Sequence, residues 1–240
     1  WARRWAGLRQ RAAGGIFIRR GGTIVAYFPF FVELSGKKGL IVGGGTVALR
    51  KAEKLLPYGP ELTLAAPRLL PGLEALPGLT LLRCPFGPEL LEGMYFVIAA
   101  TGDPELNHHL AALCGARGLL VNVVDDREHC SFLFPALVQD GPLSVGISTG
   151  GASPTAAVWV KERVAAALPE NFGALLDWLE SVRPAARAAL PDQSGHGPAF
   201  ARLFSACLEL GRPLETEEWT ALLAEFGRKN SLSTQTVDKV

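Results

Sequence analysis

A glycine-rich turn, placed between a short apolar segment and an amphipathic one, is the feature that most constrains the fold of this chain. Residues 39–42 have the composition of a buried strand, and residues 46–56 carry apolar side chains at the spacing of one helix face. The turn between them, Gly43-Gly44-Gly45-Thr46-Val47-Ala48, satisfies the pattern G-x-G-x-x-A. A strand, a glycine turn and a helix in this order predict the first unit of a Rossmann-like α/β sheet.

The same turn is a candidate dinucleotide-binding site. We expect Gly43 to permit the tight turn, Gly45 to let a pyrophosphate approach the backbone, and Ala48 to let the helix and the strand pack closely. The N-terminus of the helix offers free N–H donors to the phosphates. The alternative is a glycine turn in an ordinary βα unit that binds no ligand.

Strands and helices alternate as far as residue 126. Further strands are predicted at residues 61–65, 79–83, 95–100 and 119–124, and helical segments at residues 89–91 and 104–116. Asp103 is expected to cap the second of these helices, with Pro104 at its first position. This alternation predicts a parallel sheet flanked by helices.

After residue 126 the pattern changes. Two β runs, residues 131–138 and 143–147, are separated by the turn-forming residues 139–142 and predict a hairpin or a crossing ribbon. Ser153-Pro154 is expected to begin a helix that ends near Leu168, and further helices follow to about Phe226. Prolines are expected to break these helices at Pro169, Pro184, Pro191 and Pro213. Residues 227–240 are predicted to form a loose tail.

The charge of the chain is unevenly distributed. Residues 1–24 contain six arginines and no acidic residue, whereas the remainder has 18 basic and 23 acidic residues. An acidic body argues against nucleic acid as a partner. The apolar run 24–32 is about half of the ~20 residues that span a bilayer, so no membrane helix is predicted. We expect residues 1–24 to be an upstream remnant outside the fold, with Val25 as a candidate start, rather than a signal or transit peptide.

The four cysteines lie far apart and lack the spacing of metal ligands. They are expected to be buried thiols in a reducing cytoplasm. His108 and His109 are adjacent on a predicted helix and therefore do not share a face. No metal site is predicted.

Polar residues follow the predicted fourth and fifth strands, at the edge where parallel sheets bind ligands. Thr101 follows the fourth strand. Asn122 lies inside the fifth, where its amide is expected to bond either the backbone or a ligand. Asp125 and Asp126 come next, and one of them could exchange a proton while a nicotinamide accepts hydride. The alternative is a turn or capping aspartate.

The end of the second strand lacks the acidic residue that usually binds the adenosine ribose, and Pro67-Arg68 stands there instead. Arg68 could lie beside a ribose, tolerate a 2′-phosphate or be a solvated loop arginine, so NAD and NADP both stay open. The loop of residues 148–154 can bind an acidic group through backbone N–H donors, or it can simply make a turn and a helix cap.

Several motifs occur in register between residues 26 and 168. They are Tyr27-Phe28-Pro29-Phe30-Phe31, the run from Val42 to Lys51, Ala99-Ala100-Thr101, Asn122-Val123-Val124-Asp125, Ser131-Phe132 with Phe134-Pro135, and Ser148-Thr149-Gly150-Gly151 with Ser153-Pro154. Together they resemble the precorrin-2 dehydrogenase / sirohydrochlorin ferrochelatase family, which includes the N-terminal half of bifunctional sirohaem synthase. A weaker helical continuation follows.

The resemblance implies oxidation of precorrin-2 to sirohydrochlorin with NAD⁺ as acceptor and, in some members, insertion of Fe²⁺ to make sirohaem. It also implies a homodimer built largely by the segment after the fifth strand, with the tetrapyrrole between the dinucleotide domain and the dimer and helical regions. The expected segments are a basic extension (1–24), an NAD-binding domain (25–126), a dimerisation segment (127–152), a helical C-terminal domain (153–226) and the tail (227–240).

The resemblance also assigns roles to residues of the dinucleotide domain. Asp125 matches the aspartate implicated in dehydrogenation and in chelation. Thr46 and Val47 match the contacts of the phosphate loop, and Pro67 and Arg68 match those at the end of the second strand. Gly43, Gly45, Thr101 and Asn122 complete the predicted cofactor contacts.

The predicted substrate contacts lie further along the chain, at Ser148, Thr149, Gly150, Lys161 and Arg163. Thr149 matches a serine beside the substrate site in some members. The chain departs from the family pattern at Gly102, where aspartate is frequent, at Ala152, where lysine or threonine is frequent, and at Val158, where arginine is frequent. Lys161 and Arg163 still supply positive charge for an octacarboxylate substrate.

Two alternatives stand beside a monofunctional dehydrogenase. The first is a bifunctional enzyme that also inserts Fe²⁺ into sirohydrochlorin. The second is a regulatory module that binds NAD without chemistry, and the segments 122–125 and 148–154, which a bare sensor does not need, count against it.

Overall fold

The computed structural model of the protein describes residues 18–20, 23–25, 27–190 and 195–237. The chain divides into two compact units, residues 1–134 and 135–240. Within the predicted basic extension, Ile18–Arg20 (β1) pairs antiparallel with Thr23–Val25 (β2). The rest of that extension, and with it most of the prediction for residues 1–24, lies outside the described residues.

A five-stranded parallel sheet forms the centre of the first unit. Its strands are Lys38–Val42 (β3), Glu61–Ala65 (β4), Leu79–Leu82 (β5), Phe96–Ala99 (β6) and Leu120–Val123 (β7). The spatial order is β5-β4-β3-β6-β7. The predicted Rossmann-like sheet is confirmed, and each strand begins and ends within one residue of its predicted bounds. β6 is apolar and buried along its whole length because both faces of the sheet are covered.

Helices cover the two faces of this sheet. They are Thr46–Leu55 (α1), Pro71–Glu74 (α2) and Pro104–Ala116 (α3), with 3₁₀ turns at Leu56–Tyr58 and Pro88–Leu91. Ala48 and Ala52 of α1 pack on one face, and Leu110 and Cys114 of α3 pack on the other. The short α2 had no counterpart among the predicted helices.

The strand order creates a switch point between β3 and β6. From β3 the chain first builds outward through β4 and β5, and then crosses to the other side for β6 and β7. The loops that leave β3 and β6 therefore diverge and open a crevice at the carboxyl ends of these strands, which is where open parallel sheets bind ligands.

The described residues of the second unit, 135–190 and 195–237, form a hairpin and four helices. Ala136–Asp140 (β8) pairs antiparallel with Leu143–Ile147 (β9), and the helices are Pro154–Ala167 (α4), Phe172–Ala188 (α5), His196–Leu210 (α6) and Thr216–Val237 (α7). Its core packs α5, α6 and α7 together around Leu203, Cys207 and Leu223. The predicted hairpin and the cap of α4 by Ser153, which accepts from the Ala156 N–H at 3.1 Å, are confirmed.

Two sequence predictions on this part of the chain, the start of the first β run and the break at Pro184, were wrong. The first β run begins at Ala136 instead of residue 131, because Ser131 bonds to Val121 of the first unit instead, at 2.9 Å between its nitrogen and the Val121 carbonyl oxygen. Pro184 does not break a helix: α5 continues through it, with Val182 and Ala186 buried on either side. Buried apolar contacts therefore outweigh the hydrogen bond that a proline removes.

The last helix is longer than predicted. α7 continues to Val237, past Phe226, so residues 227–237 are helical. A single glycine at 227 costs only about 1 kcal/mol in a helix and does not end one by itself. The boundary predicted after Asp126 also falls inside the first unit, which extends to Phe134.

The four cysteines are free thiols. Cys114 and Cys207 are buried, while Cys84 and Cys130 are half-buried. Burial raises the pKa of the Cys114 thiol to about 11. Among the helices of the described residues, none combines the length and the apolar character that crossing a membrane requires.

Candidate functional site

The glycine turn after β3 is shaped by close backbone contacts. Gly43 has a φ of 131°, a conformation that residues with a side chain rarely adopt. A Cβ there would also collide with the carbonyl of Ala100 at the end of β6. Gly44 lies against the loop that follows β4, since a Cβ on it would collide with the carbonyl oxygen of Arg68. The turn therefore fits tightly between the loops that follow β6 and β4.

Gly45 differs from both, because a Cβ built on it meets nothing within 4 Å. It is the N-cap residue of α1 and provides no side-chain cap. The N–H groups of the first turn of α1, at Thr46 and Val47, are therefore left for an acceptor from outside the helix. Both side chains are exposed. An open backbone beside the N–H donors at the N-terminus of a helix suits the pyrophosphate of a dinucleotide.

The residues predicted at the end of the second strand lie beside this turn. Leu70 donates its N–H to the carbonyl of Gly44 at 2.9 Å, which ties the loop after β4 to the turn. Pro67 and Arg68 are exposed on that loop. The guanidinium of Arg68 is thus available to a ligand bound at the turn.

Thr101, after β6, is held by a buried amide that sequence reasoning missed. Asn107 of α3 is 6% exposed. Its Oδ1 accepts from the Thr101 hydroxyl at 2.7 Å, and its Nδ2 donates to the Thr101 carbonyl at 3.2 Å. Asp103 caps α3 as predicted, accepting from the N–H groups of Glu105 and Leu106. The Thr101 side chain thus fixes the loop that forms one wall of the crevice.

Asn122 in β7 is 5% exposed and bonds to the protein itself. Its Nδ2 donates to the carbonyl of Phe132 at 3.0 Å, and its Oδ1 accepts from the Lys51 ammonium at 3.5 Å. Of the two uses open to this amide, the hydrogen bonds support the structural one. It fastens the segment after β7 to the face of the sheet that α1 covers.

Lys51 is a residue that sequence reasoning named only within a motif. Its Nζ lies 3.5 Å from the ring centroid of Phe134, in a cation–π contact. Burial, together with the charge of Lys54, lowers the pKa of Lys51 to about 8, although Cys130 and Asp125 act in the opposite direction. A half-buried amine with a pKa near neutrality beside a carboxylate is a feature of functional sites. Its position on the inner face of α1 is the signal that could have revealed it.

Asp125 follows β7 at the same edge of the sheet as the glycine turn. Val124 donates its N–H to the carbonyl of Ala99 at 3.0 Å, so the chain remains paired with β6 up to this point. Asp125 then adopts a left-handed conformation, with a φ of 58°, and is exposed. Aspartate tolerates this conformation better than most residues. The turn presents its carboxylate to solvent at the carboxyl end of the sheet.

Asp126 has a different environment from its neighbour. Its Oδ2 lies 2.7 Å from Nε2 of His108 and 2.6 Å from Nδ1 of His129. Burial raises the pKa of the Asp126 carboxyl, but the hydrogen bonds from His129 and His108 outweigh this and hold the pKa below its usual value. Asp126 is therefore the anionic centre of a small cluster, whereas Asp125 is exposed.

The predicted substrate loop lies in the second unit. Gly150 and Gly151 have φ values of 61° and 81°. The Thr149 hydroxyl donates to the Ser153 carbonyl at 3.0 Å and accepts from the Ser153 N–H at 3.2 Å. The Ser148 hydroxyl accepts from the Gly150 N–H at 3.1 Å. Both hydroxyls thus build a compact turn that leads into α4.

Lys161 and Arg163 are exposed on α4. The Arg163 guanidinium stacks on the ring of Trp159, at 3.3 Å from the ring centroid. This contact orients a cation at the surface of the helix. Lys161 and Arg163 can thus attract carboxylates on the surface of the second unit.

Comparison with known proteins agrees with this geometry. Residues 30–136 match the family model described as "Putative NAD(P)-binding", and residues 140–167 match "Sirohaem biosynthesis protein central". The fold resembles that of "SirC, precorrin-2 dehydrogenase", with a TM-score of 0.63 and 24% identity over 84% of this chain and 100% of that chain.

Similar sequences carry the name siroheme synthase. The protein from Chromobacterium violaceum is 41% identical over 175 residues, which are 69% of this chain and 36% of that protein. The protein from Photorhabdus laumondii is 38% identical over 199 residues, which are 80% of this chain and 42% of that protein. The chain thus spans less than half the length of these relatives.

The glycine turn at the switch point and the family match over residues 30–136 define the first unit as a Rossmann-type NAD(P)-binding domain. The central-domain match extends the likeness into the second unit. The two family models and the similar siroheme synthases agree with the resemblance to the precorrin-2 dehydrogenase / sirohydrochlorin ferrochelatase family that the motifs indicated.

Proposed function

We propose that the chain oxidises precorrin-2 to sirohydrochlorin in sirohaem biosynthesis, with NAD⁺ as acceptor. The observation that carries this proposal is the pairing, at one edge of the sheet, of an open glycine turn with an exposed carboxylate at Asp125. The turn suits the phosphates of a dinucleotide, and the carboxylate suits proton removal from a substrate that loses hydride.

The residues have distinct roles in this proposal. Bound NAD⁺ supplies the redox chemistry by accepting the hydride. Gly43, Gly45, Thr46 and Val47 hold its phosphates, while Asp125 removes the proton that leaves together with the hydride. Alignment of the reacting carbon with the acceptor is the main contribution of the protein.

Several further contacts belong to the same proposal. Pro67 and Arg68 border the cofactor directly. Thr101 and Asn122 act indirectly, because they hold in place the loops that border it. Ser148, Thr149, Gly150, Lys161 and Arg163 bind the carboxylates of the tetrapyrrole, which backbone N–H groups and cations attract. We also propose a homodimer built largely by residues 127–152 and a cytoplasmic location, in keeping with the free thiols.

The test is the Asp125→Asn variant. Asparagine tolerates the left-handed backbone at this position and retains the shape of the side chain, but it cannot accept a proton. We expect turnover to fall by about 100-fold or more, while the affinity for NADH changes less than about twofold. NADH formation from anaerobically prepared precorrin-2, followed by absorbance, measures the turnover.

A matched control is Asp177→Asn, which removes an exposed carboxylate from α5 and should leave turnover unchanged. Full activity of Asp125→Asn would remove this residue from the mechanism. If the parent protein binds NADH but forms none from precorrin-2, the NAD-sensing alternative holds instead. The same assay with NADP⁺ decides which nicotinamide nucleotide is used.

A second candidate function is insertion of Fe²⁺ into sirohydrochlorin. The relatives named siroheme synthase favour it, since their name refers to the iron-containing product. Fe²⁺ would be a substrate here, and the four nitrogens of the macrocycle would receive it. Anaerobic incubation of sirohydrochlorin and Fe²⁺ with substoichiometric protein, followed by the sirohaem spectrum, separates a bifunctional enzyme from a dehydrogenase.

A further inference from the structure

We propose that His108, Asp126 and His129 form a binding site for a divalent first-row transition-metal ion. One ligand atom from each residue lies within 4.8 Å of the others. His108 comes from α3, and the other two come from the loop after β7, so the site joins two elements of the first unit. The sequence predicted no metal site because these ligands are separated along the chain and meet only in the fold.

The carboxylate at the centre of the cluster is already oriented. Oδ1 of Asp126 accepts from the Glu128 N–H at 3.1 Å, while Oδ2 points between the two imidazoles. A hydrogen bond of this kind to the outer oxygen fixes a ligating carboxylate and strengthens a metal site. Asp126 thus has one oxygen held by the backbone and the other directed at two nitrogen donors.

The two imidazole rings of the cluster are stacked on each other. The rings of His108 and His129 stack with centroids 4.4 Å apart and an interplanar angle of 27°. Without an ion, each ring must present an N–H to Asp126, because an ionised carboxylate only accepts hydrogen bonds. In the metal-bound form each neutral ring would carry its single proton on its other nitrogen, so that the nitrogen facing Asp126 is free to bind the cation.

The donor set determines which ions fit. Two neutral imidazoles and one carboxylate suit Fe²⁺, Ni²⁺ and Zn²⁺, whereas Mg²⁺ and Ca²⁺ prefer oxygen ligands. The nitrogen–oxygen separations of 2.6 and 2.7 Å are those of hydrogen bonds and have to widen by a few tenths of an ångström around an ion. Both histidine side chains are about 45% exposed, so this adjustment meets little packing and an ion has access from solvent.

The site is independent of the proposed dehydrogenase activity. It lies next to Asp125 along the chain, yet Asp126 and its histidines are not among the residues that would hold NAD⁺ or remove the proton. The result of the metal-binding experiment therefore neither supports nor contradicts the proposed function.

The experiment measures binding of Zn²⁺ and Ni²⁺ to the tag-free full chain by isothermal titration calorimetry. We expect one ion per chain, with Mg²⁺ giving no competing signal. His108→Gln and His129→Gln should each weaken binding by more than about tenfold. The matched control is His109→Gln, which removes an exposed histidine of the same helix that lies outside the cluster and should bind as the parent does.

Two outcomes would overturn the proposal. One is the absence of stoichiometric Zn²⁺ or Ni²⁺ binding by the parent chain, and the other is equal affinity in the His108, His129 and His109 variants. Circular dichroism of each variant establishes that it is folded. If a glutamine variant fails to fold, the Co²⁺ visible spectrum of the parent chain decides, since imidazole and carboxylate ligands give absorption bands that the hexa-aqua ion lacks.

Discussion

The glycine turn after β3 and the segment after β7 lie at the same edge of one sheet, but they are held in place in different ways. The turn is shaped by its own backbone, with Gly43 and Gly44 in contact with carbonyls of neighbouring loops. The segment after β7 is held by side chains, with Asn122 bonded to Phe132 and Ser131 bonded to Val121. One wall of the crevice thus depends on the absence of side chains and the other on particular polar groups.

In both regions, residues that stabilise the fold stand next to residues that are available to a ligand. In the turn, Gly44 serves packing, whereas Gly45 faces open space and is free to serve a ligand. In the segment, Asp126 and Asn122 have protein partners, whereas Asp125 is exposed. Substitution of a residue that has protein partners should therefore lower the stability of the fold, whereas substitution of its exposed neighbour should lower ligand binding or turnover.

The largest effect is expected for the turn. Gly44→Ala should lower the free energy of unfolding by about 3 kcal/mol, because its Cβ would collide with backbone that cannot move without disturbing the loop after β4. Gly45→Ala should cost about 1 kcal/mol or less but weaken NADH binding by about tenfold, since its methyl group would occupy the approach of the phosphates. Urea unfolding followed by circular dichroism, with fluorescence titration of NADH, measures both. Equal stability losses would contradict the distinction.

A smaller effect is expected for Asn122→Leu. The substitution leaves the carbonyl of Phe132 without its donor and removes a partner of Lys51. An unsatisfied buried polar group costs about 1–3 kcal/mol, so we expect a loss of about 2 kcal/mol in the free energy of unfolding. NADH affinity should change less than about threefold, and a much larger loss of affinity in a variant of near-normal stability would assign this amide to the cofactor instead.

The smallest effect is a pH dependence that originates at Lys51. The folded pKa of about 8 lies below the ordinary value of 10.5, so between these values the unfolded chain binds a proton that the folded chain does not. The stability of the parent relative to Lys51→Met should therefore rise with pH across this interval. Thermal unfolding at a series of pH values measures the difference between the two proteins.

Lys54→Met provides the control for that dependence. Lys54 is exposed on α1, and its charge is one of the causes that lower the pKa of Lys51. Removing it should shift the onset of the stability change to higher pH without abolishing it. A difference between parent and Lys51→Met that stays constant with pH would mean that the lysine has its ordinary pKa.

The amino-acid sequence by itself determined the strands, the glycine turn and the cap at Asp103, because these depend on residues close together in the chain. Continuous apolar runs such as residues 96–99 indicate a strand buried on both faces, and a proline directly after an aspartate indicates a helix start. The family motifs also pointed to Asp125 before its exposure was known. Local signals failed at Pro184 and at the end of α7, where burial and helix propensity decided the outcome.

Only the tertiary structure decided which polar side chains have partners within the protein. Lys51 and Asn122 are 71 residues apart, and His108 and Asp126 are 18 residues apart, so no local pattern relates them. Their distances, and the lowered pKa of Lys51, follow from packing α1 and the loop after β7 onto the sheet. The physical reason is that hydrogen bonds and burial depend on positions in space, whereas the spacing of residues along the chain fixes only the elements that carry them.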